Sequence, residues 1–292
     1  MIEFKGKVVV ITGAGSGFGR EFARIGARLG MKLVLADVQA AALAAVVDEL
    51  LGQGADVVGE QIDVSKGEQV DRLAVRTVQA FGKVHLLFNN AGVADGGLIW
   101  ESTVKDWEWV LGVNLWGVVH GIRAFVPLML AQGDDCHIVN TASVAGLLST
   151  QTMGVYNVSK HGVVTLSETL FHDLRVTGSN IGVTVLCPAF VPTGINQSNR
   201  NRPAELDNRT PLTASQLAAQ QASDKAITSG RVSAADVGEM TFEAIRERRF
   251  YLLTHPKILE SVELRMQDIV LLRNPSDPFT FKQDVAFKAR SD

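Results

Sequence analysis

The stretch VVVITGAGSGFGREFA, residues 8–23, sets glycine at 13, 15, 17 and 19, in the seam between a β-branched run and a helical pattern. Glycine gives up more backbone freedom on folding than any other residue, about 0.5–1 kcal/mol relative to alanine inside a regular element. Such density marks backbone that must stay bare. A strand that turns into a helix leaves the helix's first N–H groups unpaired, with the positive end of its dipole facing outward. A phosphate can dock there if no side chain intervenes. Glycine clusters also serve tight turns and close helix packing, so the stretch alone leaves those readings open.

Working outward, short apolar runs alternate with long segments of helical period: KVVVIT then GREFARIGARLG, KLVLAD then AAALAAVVDELLG, ADVVGEQID then KGEQVDRLAVRTVQAFG, and VHLLFNN. HIVNTAS from His137, IGVTVLCP from Ile181 and RFYLLTH from Arg249 read as three further strands, with helices expected over 107–132 and 156–177. The alternation predicts a parallel, doubly wound α/β sheet. Residues 190–230 break it. They are polar, rich in Asn, Arg, Gln and Ser, and return to pattern only at a helix near Ser233. A connection this long inside a domain reads as a lid or binding loop. After the seventh strand come a helix-like run, 256–272, and a tail, 273–292, where Pro275 and Pro278 mark the end of regular structure. The expected division is one domain over 1–272, with its lid at about 190–230, followed by the tail, whose Phe279, Phe281 and Phe287 are candidates for packing on a neighbouring subunit.

Composition narrows the functional classes. The 292 residues are 46% apolar and 20% charged, as in soluble globular chains. A net charge of −3 offers no basic field for nucleic acid. Two cysteines, Cys136 and Cys187, argue against a disulfide scaffold and fit a reducing compartment, as buried small hydrophobes. The beginning MIEFKGKVVV lacks the apolar region of a signal peptide, and no run of about 18 apolar residues occurs. A cytoplasmic protein with no membrane partner is expected. No His, Cys and carboxylate set has metal-ligand spacing, so no metal is expected.

The glycines fail the general dinucleotide spacing G-x-G-x-x-G, because Phe18 stands sixth from Gly13, and fit T-G-x-x-x-G-x-G through Thr12, Gly13, Gly17 and Gly19. NNAG follows at 89–92, Asn114 lies in VNLWG, Ser143 precedes Tyr156 by thirteen residues, YNVSK spans 156–160, and CPAFVPT spans 187–193. In this order, from residue 7 to about 251, the motifs resemble the short-chain dehydrogenase/reductase family. One departure is Ala189, where the family has glycine.

The resemblance implies a Rossmann-type, seven-stranded parallel sheet with helices on both faces. It also implies an NAD-dependent oxidoreductase interconverting a secondary alcohol and a ketone, assembled as a homodimer or homotetramer. Tyr156 would take or return the alcohol proton, Ser143 would hydrogen-bond the substrate oxygen, Lys160 would hold the nicotinamide ribose, and Asn114 would position a water. The cofactor would meet Gly13, Ser16, Gly17, Phe18 and Gly19 at the first turn, and Asp37, Asp63 and Val64 after the second and third strands. It would continue past Asn90, Ala91 and Gly92 to Tyr156, Lys160, Pro188, Val191 and Thr193. The substrate pocket would be lined by Val93, Leu147, Met153, Phe190 and Ile195. A fold that keeps the nucleotide and has lost the chemistry is the rival, and Tyr156 with Lys160 counts against it.

Residue chemistry supplies further expectations. Tyr and Lys four apart share one helix face, and a cation within about 4–6 Å lowers an acid's pKa by roughly 1–3 units, so Lys160, helped by a positive nicotinamide ring, is expected to bring the Tyr156 phenol within reach of neutral-pH proton transfer. Asp37 ends KLVLAD, where a carboxylate accepts from both ribose hydroxyls and repels a 2′-phosphate; Ser16 and Val38 offer no cation for that phosphate. Both Asp37 and Asp63 have a blander reading as turn or cap residues. Trp107 and Trp109 read by default as core, and the resemblance, in which this helix region meets a second subunit, makes either a candidate interface anchor. Arg200, Arg202 and Arg209 in the lid are candidates for recognising an acidic substrate group. His161 is expected to face away from the site, and His255 to serve the turn before Pro256.

Overall fold

The computed structural model describes residues 3–280. Seven strands form one sheet: β1 Val8–Thr12, β2 Lys32–Asp37, β3 Val57–Gln61, β4 Leu86–Asn89, β5 Cys136–Thr141, β6 Ile181–Cys187 and β7 Tyr251–Leu253. Their order is β3-β2-β1-β4-β5-β6-β7, and every pairing is parallel. Each helical segment between strands crosses over one face, which explains why the inner strands are apolar on both sides. Val9, Ile11, Leu33, Leu35 and Phe88 enter one core, while Val8, Val10, Val34, Ala36 and Leu87 enter the other.

The first core is covered by α1 Gly17–Arg28, α2 Ala40–Gly52 and α8 Ala234–Glu247, which supply Phe22, Ile25, Leu43 and Phe242. Phe22 and Phe88 meet at 4.7 Å between ring centroids, and Phe88 and Phe242 at 5.7 Å. Truncating such a ring to alanine costs about 3–5 kcal/mol. The second core is covered by α3 Gly67–Phe81, α5 Gly117–Gln132 and α6 Gly154–Val176, through Leu73, Phe125 and Leu170. Because the chain winds outward from β1 in one direction and from β4 in the other, a crevice opens above their carboxyl ends.

The expected helix over 107–132 is three pieces. A capping box joins Thr103 and Asp106 ahead of α4 Val104–Leu111, and a π-turn over Gly112–Trp116 leads into α5. By length and composition the run Val104–Gln132 contains an 18-residue stretch apolar enough to cross a bilayer, with mean hydropathy 1.4, which a search for uninterrupted apolar residues misses. Here it lies on the protein, packed against α3 and α6, with Asn114 fully buried.

The segment 190–230 also departs from expectation. It contains short 3₁₀ turns at Ile195–Asn201 and Ala204–Leu206 and a four-turn helix, α7 Ala214–Thr228, opened by a capping box between Thr213 and Gln216. Its helical pattern is hard to read because Ile227 is the one residue of α7 that is fully buried, so no apolar stripe announces it. After β7, a 3₁₀ turn at Pro256–Ile258 feeds α9 Leu259–Val270. Phe281 and Phe287 of the tail lie outside the described residues.

Candidate active site

The site begins at the turn from β1 into α1. The Thr12 hydroxyl donates to the Phe88 carbonyl at 3.1 Å and accepts from the Asn90 and Ala91 N–H groups at 2.9 and 3.1 Å. This one side chain locks the glycine turn to the NNAG segment. A Cβ on Gly19 would stand 2.1 Å from the Gly13 carbonyl oxygen, so only glycine lets the helix begin this close to the strand end. Gly17 has φ +50°, in the left-handed region, and its Cα faces Thr193. Ser16 precedes α1 without its side chain bonding to a helix N–H, and no acidic residue lies in the first turn. The first N–H groups of α1 therefore lack the usual side-chain caps.

Asp37, the last residue of β2, accepts from the Gly15 N–H at 2.8 Å through one oxygen and from the Gln39 N–H at 2.8 Å through the other. The carboxylate thus shapes the turn into α2, and it also lines the cavity. Asp63, two residues past β3, accepts from the Ser65 N–H at 2.9 Å and so forms a turn ahead of α3, while also lining the cavity.

The reactive side chains come from the other half of the sheet. Ser143 follows β5; its hydroxyl accepts from the Ala145 N–H at 3.1 Å and donates to the Pro188 carbonyl at 3.4 Å. Tyr156 and Lys160 rise from the first turns of α6, with the Lys160 Nζ 5.7 Å from the Tyr156 ring centroid and donating to the Thr141 carbonyl at 2.9 Å. Lys160 is 2% exposed. Burial lowers its pKa to about 8. Burial pushes the Tyr156 phenol up to about 12, with a hydrogen bond to Ser143 acting in the opposite sense. By itself Lys160 does not pull the phenol down. In a pocket this dry, the cost of desolvating a phenolate outweighs a cation 5.7 Å from the ring whose own charge burial disfavours.

Asn114 sits in the π-turn, a geometry that recurs at functional sites. Its amide accepts from the Val93 N–H at 2.8 Å and donates to the Val93 carbonyl at 2.9 Å and the Ser159 hydroxyl at 3.0 Å. The side chain thus ties the chain after NNAG to α6.

These elements enclose a cavity of about 970 Å³. All the expected cofactor residues line it except Gly19, which is packed beneath the turn; Ser143 lines it and Asn114 lies behind it. Of the expected substrate residues, Val93, Met153, Phe190 and Ile195 line it, and Leu147 does not. A 3₁₀ turn over Val144–Gly146 swings Leu147 into the packing around β6 and presents Leu148 instead. Ala189 stays out of the left-handed region, so alanine strains nothing there. His161 bonds through Nδ1 to the Asn157 carbonyl within α6, and His255 bonds to Thr254 in the turn before Pro256.

The roof is held by side chains far apart in sequence. Arg202 pairs with Asp106 at 2.7 Å, both largely buried, and lies over Trp109 at 5.0 Å. Asn208 donates to the same Asp106 at 2.9 Å. Glu101 accepts from Thr213 at 2.6 Å and also from Ser215 at the start of α7. Arg202 thus fastens the segment 190–230 to α4, and Arg200 is turned onto the Gly194 and Gln197 carbonyls. Trp109 is core beneath Arg202 at 3% exposure, whereas Trp116 and Trp100 are exposed. One acid escaped sequence reasoning: Asp95 lines the cavity, and burial together with the negative charge of Asp106 raises its pKa to about 6. No motif contains it.

The chain belongs to the short chain dehydrogenase family, whose model matches residues 7–204. It is therefore an oxidoreductase of that family. It is 37% identical over 273 residues to a CLA biosynthesis dehydrogenase/reductase of Lactiplantibacillus plantarum, covering 92% of this chain and 95% of that one. It is 32% identical over 294 residues to a C alpha-dehydrogenase of Sphingobium sp., covering 98% and 93%. Among solved structures, a short chain dehydrogenase/reductase from Burkholderia phymatum in complex with NAD superposes with a TM-score of 0.94 at 62% identity, covering 95% of this chain and 99% of that one.

Proposed function

We propose that the protein interconverts a secondary alcohol and a ketone with NAD, using Tyr156, Lys160, Ser143 and Asn114. One observation carries this reading: Tyr156, Lys160 and Ser143 converge on one wall of a cavity whose other end is the bare glycine turn and Asp37. The residues present fit the cofactor. The uncapped N-terminus of α1 suits its pyrophosphate, the close packing at Gly19 keeps side chains out of the way, and the Asp37 carboxylate, aimed by two backbone donors, suits the adenosine ribose. The NAD complex of the 62% identical structure supports the same choice.

When bound, NAD supplies the two-electron acceptor for the carbinol C–H. The chain's own residues handle the oxygen and its proton. Ser143 hydrogen-bonds the substrate oxygen beside the Tyr156 Oη, which takes the alcohol proton during oxidation and returns it during reduction. Lys160, together with the positive nicotinamide ring, favours the charged form of Tyr156, and Lys160 anchors the nicotinamide ribose. Asn114, bonded to Val93 and Ser159, acts as a positioning residue that fixes the floor of the cavity against α6. The apolar lining, including Val93, Met153, Phe190 and Leu148, suits an apolar, aromatic or alicyclic substrate. Residues 1–272 form the working domain. Exposed Val104, Trp116 and Val158 on α4 to α6 support a homodimer or homotetramer, and the composition supports a cytoplasmic setting. Purified protein mixed with NAD and a panel of secondary alcohols should generate reduced nicotinamide; binding of NAD with no turnover of any alcohol would overturn the proposal.

A further inference from the structure

The chain after α9 is tied down by a buried acid. Asp268 is 4% exposed, although Leu259, Met266, Ile269 and Val270 of the same helix are exposed. Its carboxylate holds two groups of the chain that follows, the Arg273 guanidinium at 2.9 Å and the Ser276 N–H at 2.9 Å. The Arg273 N–H also donates to the Asp268 carbonyl at 2.8 Å. Asp277 then organises the next turn, accepting from the Phe279 N–H at 2.9 Å through its carboxylate and from the Thr280 N–H at 3.0 Å through its carbonyl. These two turns fold residues 273–280 back onto the body and leave Phe279 on the wall of the cavity that holds Tyr156.

The sheet order says which end of the cavity this is. Gly17 opens the helix after β1 and Asp37 ends β2, whereas Ile258, which also lines the cavity, follows β7 at the opposite edge and leads directly into α9. The wall carried by α9 and its return therefore faces the half that bears Ser143 and Tyr156. We propose that Phe279, positioned by Asp268, closes the substrate end of the cavity and sets the bulk of the group accepted beside the carbinol carbon. This rests on the alcohol oxidoreductase reading above. It places the described part of the tail on its own subunit's site.

Two measurements on the full-length chain test it. The first compares kcat/KM with NAD for isopropanol, cyclohexanol, phenyl methyl carbinol and naphthyl methyl carbinol. Phe279→Ala should shift the naphthyl-to-phenyl ratio toward the larger substrate by about tenfold or more. Phe279→Leu should restore most of the original ratio, Asp268→Asn should shift it in the same direction as Phe279→Ala, and NAD affinity should be unchanged in all three. The second uses Phe279→Cys, made readable because Cys136 and Cys187 are fully buried. Its thiol should react with a water-soluble disulfide reagent about tenfold or more slowly than that of Leu272→Cys, a position 93% exposed. Adding Asp268→Asn should abolish the protection. Equal thiol rates, or an unshifted substrate ratio in Phe279→Ala, would overturn the proposal. Should no carbinol be oxidised by the unmodified protein, the functional reading falls, and the thiol rates then decide whether Phe279 closes the cavity.

Discussion

The two ends of the cavity are made of different material. At the cofactor end, main-chain atoms do the shaping: the Gly13 carbonyl against Gly19, and the Gly15 and Gln39 N–H groups on Asp37, all within one strand–helix–strand unit. At the substrate end the shaping is by side-chain pairs across the chain, Arg202 with Asp106 and Thr213 with Glu101. A site made of backbone demands glycine at fixed spacing, and a site made of distant pairs demands nothing local. The first end is therefore specified tightly and suits one cofactor, while the second can be rebuilt around many substrates on the same frame.

The comparison breaks first where the two ends meet. Tyr156→Phe removes one hydroxyl and keeps the ring's packing, so turnover should fall by at least ~10²–10⁴ with NAD affinity unchanged by fluorescence titration. Near wild-type turnover in a folded variant would remove Tyr156 from the chemistry. Because the phenol must lose its proton for oxidation and hold it for reduction, the oxidation rate should rise with pH and the reduction rate fall.

The cofactor end is sharpened by comparing kcat/KM for NAD and NADP. Two unit charges about 4 Å apart repel by ~4 kcal/mol at an effective dielectric of 20, so the 2′-phosphate beside Asp37 should cost about 10²-fold even after solvent discounting. Asp37→Ser should narrow that ratio; an unchanged ratio would mean that Asp37 serves the turn alone.

At the substrate end, Arg202→Met leaves Asp106 buried with fewer partners, a loss of about 1–3 kcal/mol. Limited proteolysis should then cut within 190–230 faster, with NAD affinity retained, and Asp106→Asn added to it should recover part of the loss. Cleavage elsewhere first would show that this pair does not fasten the lid.

The last effect belongs to the frame itself and leaves both ends of the cavity alone. Burial lowers the pKa of His85 to about 4 and of His137 to about 3, so both are neutral in the folded chain across the range where the unfolded chain binds protons. Below the unfolded value of about 6.5, the unfolded state holds more protons, and stability falls as pH drops from there toward 4. Each histidine adds a slope of at most about 1.4 kcal/mol per pH unit in that window, and denaturant melts at several pH values measure it. A stability that rises on acidification through this range would contradict the assignment.

Legibility in the sequence followed the same division. The parallel sheet, the glycine turn and the catalytic spacing could be read because strands buried on both faces, bare backbone and an i, i+4 pair each leave a local pattern, as at Val8–Thr12, Gly19 and Tyr156 with Lys160. The roof left none. α7 buries Ile227 and little else, Asp106 and Arg202 meet only in the folded chain, and Asp95 and Phe279 lie outside every motif. The direction of the Tyr156 shift was likewise invisible, because spacing reports which charges are neighbours and says nothing of how dry their surroundings are.

The most direct test of the central claim follows one bond. A secondary alcohol carrying deuterium on its carbinol carbon is incubated with NAD and the protein, and the reduced cofactor is recovered for mass spectrometry. The account predicts that deuterium appears in the nicotinamide in step with ketone formation, and that Tyr156→Phe suppresses both together. Ketone formed without label in the cofactor, or label transferred at an undiminished rate by Tyr156→Phe, would contradict it.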